Sequence, residues 1–253
     1  MLMIHGIIFD LGWTLMFYDG DWKEVNPRAA KTMAAFLNAR GIAVGDNFHA
    51  VFQTARDARW KRADETGVEQ TVEDALRDTL AQFGHTASPN GLLPRAVRVF
   101  FEEHLTRWHA YDDALATLQK LTRRGLRVGL FSNADDDGLV QNCVARLGFA
   151  PYLNPALSSA MPHRIRKPDP RALRLVADAW QIAPSEIVMV GDSPQYDILG
   201  AHRAGMRAIL IDHGENFWWQ KIPDDRANDP ALRADATVKT LAEIPDVLDS
   251  WLV

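Results

Sequence analysis

Four short apolar runs, Ile4–Phe9, Val128–Phe131, Ile187–Val190 and Ala208–Ile211, each end in turn-forming residues. Their length and lack of polar alternation fit strands buried on both faces, as parallel strands are. Between the later runs the apolar spacing becomes helical. Leu115, Leu118 and Leu121 follow Asp112 and Asp113; Leu139, Val140, Cys143, Val144 and Leu147 are closed by Gly148; Leu173, Val176 and Trp180 follow Pro170. Strand alternating with helix predicts right-handed crossovers and an α/β fold, a Rossmann-like doubly wound parallel sheet. A weaker strand at Asn154–Ser158 contains Pro155, which has no N–H for a ladder and therefore belongs at a sheet edge.

From residue 17 to residue 111 the alternation stops. Helical spacing recurs over Pro27–Arg40, Phe48–Glu65, Thr71–Phe83 and Leu93–Trp108 with no strand among them. This predicts a smaller all-α domain at 17–111, inserted into a core made of residues 1–16 and 112–253. The stretch Glu215–Arg233 follows neither period; with Trp218, Trp219, Pro223 and Pro230 among several charges it reads as a long loop. Ile244, Val247, Leu248 and Trp251 close the chain with a last helical pattern.

Composition narrows the classes of function. At 253 residues, 47% hydrophobic and 24% charged, the chain has ample material for a core and an ordinary soluble composition. A single cysteine, Cys143, excludes an internal disulfide and a cysteine cluster for zinc, and fits a reducing, cytoplasmic setting. The N-terminal apolar run reaches Asp10 too soon for a membrane span and has no basic flank. A net charge of -5 gives no general attraction for nucleic acid or anionic membranes, which favours a small-molecule substrate. Oligomeric state is open, and Trp218 and Trp219 fit either a subunit contact or a pocket rim.

The chemistry-bearing residues sit where the strands end, beyond which doubly wound sheets bind ligands. Asp10 follows the first strand; an aspartate there is a nucleophile or merely a turn former. Ser132 and Asn133 follow the second, able to hold a phosphate oxygen or to cap a helix. Lys167 lies in the stiff Arg166-Lys167-Pro168-Asp169-Pro170, as a site cation or a solvated lysine. The most specific pattern is Gly191-Asp192-Ser193-Pro194-Gln195-Tyr196-Asp197, two carboxylates five residues apart, which suit magnesium or else form a turn.

Together, and in this order, the four motifs resemble the signature of the haloacid dehalogenase superfamily over nearly the whole chain, Glu215–Arg233 excepted. The resemblance implies a phosphohydrolase. Asp10 would attack phosphorus, and Ser132, Asn133 and Lys167 would bind the phosphoryl group. Asp10, Asp192 and the backbone carbonyl of Gly12 would hold Mg2+, with Asp197 supporting it through water. The insertion resembles the helical cap of one branch, because the 34 residues between Ser132 and Lys167 are too few for the larger cap of others. Its expected pocket residues are Phe17, Tyr18, Trp22, Arg59, Trp60, Lys61 and Arg62, although Trp60 and Trp108 fit helix packing better. The substrate expected is a small phosphorylated metabolite.

One departure stands out. The family's usual opening is Asp-x-Asp-Gly-Thr, whose second Asp protonates the leaving group; here Gly12 and Trp13 occupy the second-Asp and Gly positions. Loss of such an acid costs ~10²–10⁴ in rate. Three readings follow: a substrate with a good leaving group, a replacement acid among Asp19, Asp21 and His109, or no hydrolysis, as in a phosphate-binding protein. The replacement acid is favoured. Two family alternatives are a metal-free dehalogenase, against which Asp192 argues, and a phosphonate hydrolase using Lys61 or Lys23 as a Schiff base.

Overall fold

Burial on both faces makes neighbours of the apolar runs. In the computed structural model, which describes residues 3–251 apart from Ser88 and Asn216, they form the centre of a six-stranded parallel sheet. Its strands are β1 (Gly6–Phe9), β4 (Arg127–Ser132), β5 (Ala156–Ser158), β6 (Ile187–Gly191), β7 (Arg207–Ile211) and β8 (Ala236–Val238), in the order β5-β4-β1-β6-β7-β8. Strand β5 lies at the edge, as Pro155 requires. The period of two divides β1 between two cores. Ile7 and Phe9 enter a cluster with Leu118 and Leu121 of α5 (Ala114–Arg123) and Val140 and Val144 of α6 (Asp137–Arg146). Ile8 enters another with Leu173 and Val176 of α7 (Pro170–Trp180) and Ala201 of α8 (Leu199–Ala204). Helices on both faces make the sheet doubly wound.

The inserted stretch folds as four helices, α1 (Trp22–Asn38), α2 (Phe48–Thr66), α3 (Val72–Gln82) and α4 (Leu92–Arg107), around a third cluster that includes Met33, Phe52, Leu76 and Phe100. Thr71 and Asp74 form a reciprocal capping box that starts α3. The absence of strands expected here is corrected. Met16–Tyr18 (β2) pairs antiparallel with Trp108–Ala110 (β3), so the chain leaves and returns to the sheet along a two-stranded ribbon. Trp108 is the first residue of β3 rather than the last of α4. Three-residue strands are too short to display a period of two, and the aromatic Phe17, Tyr18 and Trp108 there fit either state.

A second difference lies between residues 215 and 238. Three single 3₁₀ turns, at Trp218–Gln220, Asp224–Arg226 and Pro230–Leu232, replace a featureless loop, and β8 follows them. Helix α9 (Ile244–Ser250) then packs Ile244 and Leu248 into the β1 cluster. Among the described residues no helix is long and apolar enough to cross a membrane.

Candidate active site

Parallel strands place their carboxyl ends on one edge, and three of the motifs meet there. The Asp10 N–H donates to the Val190 carbonyl at 2.9 Å, which fixes the end of β1 beside that of β6. Lys167 joins them from the segment before α7. Its Nζ donates to Asp10 Oδ1 and Asp197 Oδ1, both at 2.6 Å, and the side chain is 1% exposed. Asn133 positions this lysine: its side-chain oxygen accepts from the Lys167 N–H at 2.8 Å while its amide donates to the Lys167 carbonyl at 2.9 Å. The side chain of Asn133 is thus engaged with Lys167, while Ser132 and Asn133 both line the cavity beside Asp10.

The Gly191–Asp197 loop is shaped by close approach. Asp197 folds back over Gly191 and accepts from the Ser193 N–H at 3.0 Å. A Cβ on Gly191 would lie 2.2 Å from the Asp197 carboxyl carbon, so only glycine fits. Residues Pro194–Ile198 wind as a single π turn, a distortion frequent at functional sites. Asp192, almost fully buried, accepts on Oδ2 from Trp219 Nε1 and Gln220 Nε2, both at 3.0 Å. The Trp-rich segment that follows no sequence period is therefore a clasp on a motif carboxylate.

Electrostatics sets these groups apart. Of three buried carboxylates, Asp10, Asp192 and Asp197, the Lys167 ammonium pairs with Asp10 and Asp197. Burial, against the opposing pull of Lys167, raises the Asp10 carboxyl to about 7. Burial and the neighbouring Asp197 and Asp10 push Asp192 well above the ordinary carboxylate range. Burial alone would lower Lys167, but Asp10 and Asp197 outweigh it and hold the ammonium above its usual value.

Above this cluster lies a cavity of about 520 Å³. Of the expected helical-layer residues, Trp22 and Trp60 line it, whereas Phe17, Tyr18, Arg59, Lys61 and Arg62 do not. Arg59 is spent on Asp78 and Gln70. Trp60 is half exposed at the cavity, which corrects its assignment to packing, whereas Trp108 packs in the core as expected and also borders the cavity. Neither Lys23 nor Lys61, the two candidates for a Schiff base, lines the cavity. Asp19, Asp21 and His109 are also outside the lining, and Asp21 caps α1. Arg56, Phe101, Asp135 and Arg166 line it unanticipated, since no local spacing marks residues joined only by the tertiary fold.

A parallel doubly wound sheet with these four motifs at its carboxyl edge defines a hydrolase class, and the chain belongs to it: the haloacid dehalogenase-like hydrolase family model matches residues 4–205. The chain is 33% identical over 202 residues to the phosphoserine phosphatase of Thermus thermophilus, covering 77% of this chain and 75% of that one. It is 27% identical over 247 residues to the ribulose-1,5-bisphosphate 5-phosphatase of Halopiger xanaduensis, covering 97% and 100%. Among solved structures, a 2-haloacid dehalogenase from Pseudomonas syringae pv. Tomato matches with a TM-score of 0.68 and 26% identity, covering 98% of this chain and 100% of that one. Phosphatases and dehalogenases thus both stand among its relatives.

Proposed function

We propose that the protein is a magnesium-dependent phosphohydrolase that uses Asp10 as nucleophile on a phosphomonoester. The observation that carries this reading is the excess of buried acidic groups on the strand-end edge, Asp10, Asp192 and Asp197, over the one ammonium there, which pairs with Asp10 and Asp197. Such an excess fits a dication. Among the described residues no three carboxylate, histidine or cysteine side chains form a complete metal cluster. Magnesium does not need one, because it binds through one or two carboxylates and keeps several waters. Asp10, Asp192 and the Gly12 carbonyl would hold it, with Asp197 supporting through water. When bound, the ion offsets negative charge on the phosphoryl oxygens.

The chain's own residues do the rest. Lys167, fixed by Asn133, orients the Asp10 carboxylate and neutralises charge on the phosphoryl group, with Ser132 as a further donor. An oxygen of Asp10 forms a bond to phosphorus while the bond to the ester oxygen breaks, and that oxygen leaves with the electron pair and takes a proton from water. Water then attacks phosphorus, the aspartyl-phosphate bond breaks, and the carboxylate and inorganic phosphate are released with a proton lost to solvent. Residues 17–111 act as a cap over the core of 1–16 and 112–253, excluding water and selecting the substrate.

The test is a phosphate-release assay on a panel of phosphomonoesters. Magnesium should support turnover, chelation should abolish it, and Asp10→Asn should be inactive while folded. Turnover retained by Asp10→Asn would overturn the mechanism. Hydrolysis of a 2-haloacid in excess chelator, without release of phosphate from any ester, would assign the metal-free dehalogenase reaction instead.

A further inference from the structure

Six of the chain's eight tryptophans line this one cavity: Trp13, Trp22, Trp60, Trp108, Trp218 and Trp219. Several are not core residues that merely border a void, since Trp22, Trp60 and Trp218 are 37%, 51% and 49% exposed. Exposed apolar surface gathered on one rim marks a binding site. Trp60 of α2 meets Trp218 edge to face at 5.6 Å. Deeper in, Trp13 lies 6.0 Å from Trp108 and 4.6 Å from Phe217, which stacks on Trp219 at 4.5 Å with only 3° between the planes. An aromatic wall therefore runs from beside the nucleophile to the rim. Trp13 reaches its place with a φ of 61°, a left-handed conformation that residues with a Cβ rarely adopt. Strain of this kind, held at a site, points to use of the ring.

Charge argues against a second anionic group on the substrate. Among the described residues the lining cations are Arg56, Arg166 and Lys167, and each faces a carboxylate. Arg56 meets Asp135 at 2.9 Å, Arg166 meets buried Glu69 at 3.7 Å, and Lys167 meets Asp10 and Asp197. Four carboxylates, Asp10, Asp135, Asp192 and Asp197, also line the cavity. A dication and a dianionic phosphoryl group offset each other, so a further carboxylate or phosphate would enter surroundings that remain negative. A neutral acceptor is better served: Trp108 Nε1 is a buried neutral donor with no partner. A volume of about 520 Å³ accommodates a fused ring.

The leaving group supplies an independent argument. A Cβ at Gly12 would lie 3.4 Å from the Trp108 ring, and the nearby acids Asp19 and Asp21 are outside the lining, as is His109. Asp135 is held by Arg56. A poor leaving group would need a proton, and among the described residues the lining offers no acid beyond the nucleophile, the Asp192–Asp197 pair assigned to the metal and the Arg56-bound Asp135, whereas an oxygen on an aromatic ring departs without one.

We propose that the substrate is an aryl phosphate, a phosphomonoester whose leaving oxygen sits on an aromatic ring that carries no further negative charge. The assignment rests on the phosphohydrolase reading. The ring lies against the tryptophan wall. As the bond from Asp10 to phosphorus forms, the bond to the aryl oxygen breaks and its electron pair stays on that oxygen as phenolate, which takes a proton from water after release.

The experiment compares kcat/KM, with magnesium, for 2-naphthyl phosphate, 2-naphthylmethyl phosphate and phosphoglycolate. The first keeps both ring and leaving group, the second only the ring, the third neither. The aryl ester should lead phosphoglycolate by about a hundredfold or more and the naphthylmethyl ester by about tenfold or more. Trp13→Gly, which the backbone accepts, should cut the ratio of aryl ester to phosphoglycolate by about tenfold, and Trp60→Ala by severalfold. Preference for phosphoglycolate, or a ratio unmoved by Trp13→Gly, overturns the assignment while leaving the phosphohydrolase reading intact. Equal rates for the two naphthyl esters overturn the leaving-group argument. If no ester is hydrolysed, the phosphohydrolase reading fails by itself. Calorimetric titration with 2-naphthyl phosphate then decides the wall: saturable binding weakened about tenfold in Trp13→Gly supports it, and its absence overturns it.

Discussion

At the scale of single residues, His104 makes the clearest case of burial setting a charge state. The side chain is fully buried on α4, with Tyr18 Oη 3.0 Å from Nδ1 and no partner for Nε2. Burial, reinforced by Arg56, lowers its pKa from 6.5 to about 4. Between those values the unfolded chain takes up a proton that the folded protein refuses. The stability contributed by neutral His104 is therefore complete above pH 6.5 and is lost as the pH falls toward 4, by about 3 kcal/mol in all. In urea unfolding, the advantage of the parent over His104→Gln should shrink by about 2 kcal/mol between pH 7 and pH 4.5. A difference that stays constant with pH would show that His104 does not carry this term. Residues such as Asp10, Lys167 and Asp192 were legible in the sequence because strand ends and local spacing mark them. His104 and Arg56 were not, because what defines them is a partner far along the chain, as Asp135 is for Arg56.

At the scale of elements, the same contrast holds. Long helices and the four central strands were readable from period and punctuation, and their observed bounds differ by only a few residues at most ends. The three-residue β2, β3 and β8 were not, since so few positions cannot distinguish a period of two. The Gly191–Asp197 loop lies between these cases: its motif was visible, but the reason for its glycine appears only when Asp197 folds back over it. Gly191→Ala should force that carboxylate away from Lys167 and the Ser193 N–H. The cost expected is about 1–3 kcal/mol of stability, in the range of overpacked interiors. Phosphatase activity should fall far more than stability, because the carboxylate proposed to support the metal would move. Thermal unfolding run beside the phosphate-release assay checks both. An alanine variant with parental activity would show that Asp197 tolerates displacement.

For the whole molecule, the helical layer and the sheet are joined at the strand-end edge as well as through the β2–β3 ribbon. The Val68 and Ile165 backbones form an antiparallel bridge, and Ser159 donates to buried Glu69 at 2.6 Å, close in sequence to Lys167. Anything that stabilises the strand-end edge therefore bears on both bodies of helices. A dication bound there adds RT ln(1 + [L]/Kd) to the folded state, about 2.7 kcal/mol at a hundred times Kd. For a chain of this length each kcal/mol moves Tm by about 2–4 °C, so saturating magnesium should raise Tm by roughly 5–10 °C. The pH dependence has a definite sign. In the metal-free protein the Asp10 carboxyl sits at about 7, so above that pH the ion meets an ionised ligand and below it must displace a proton. The shift in Tm should be largest above pH 7 and shrink as the pH falls through it. Asp192→Asn removes the charge of one proposed ligand but keeps an oxygen acceptor for Trp219 and Gln220, and should lose most of the shift. Differential scanning calorimetry with and without magnesium at pH 6 and pH 8 makes the comparison. A shift equal at both pH values, or preserved in Asp192→Asn, would place the ion elsewhere than between Asp10 and Asp192.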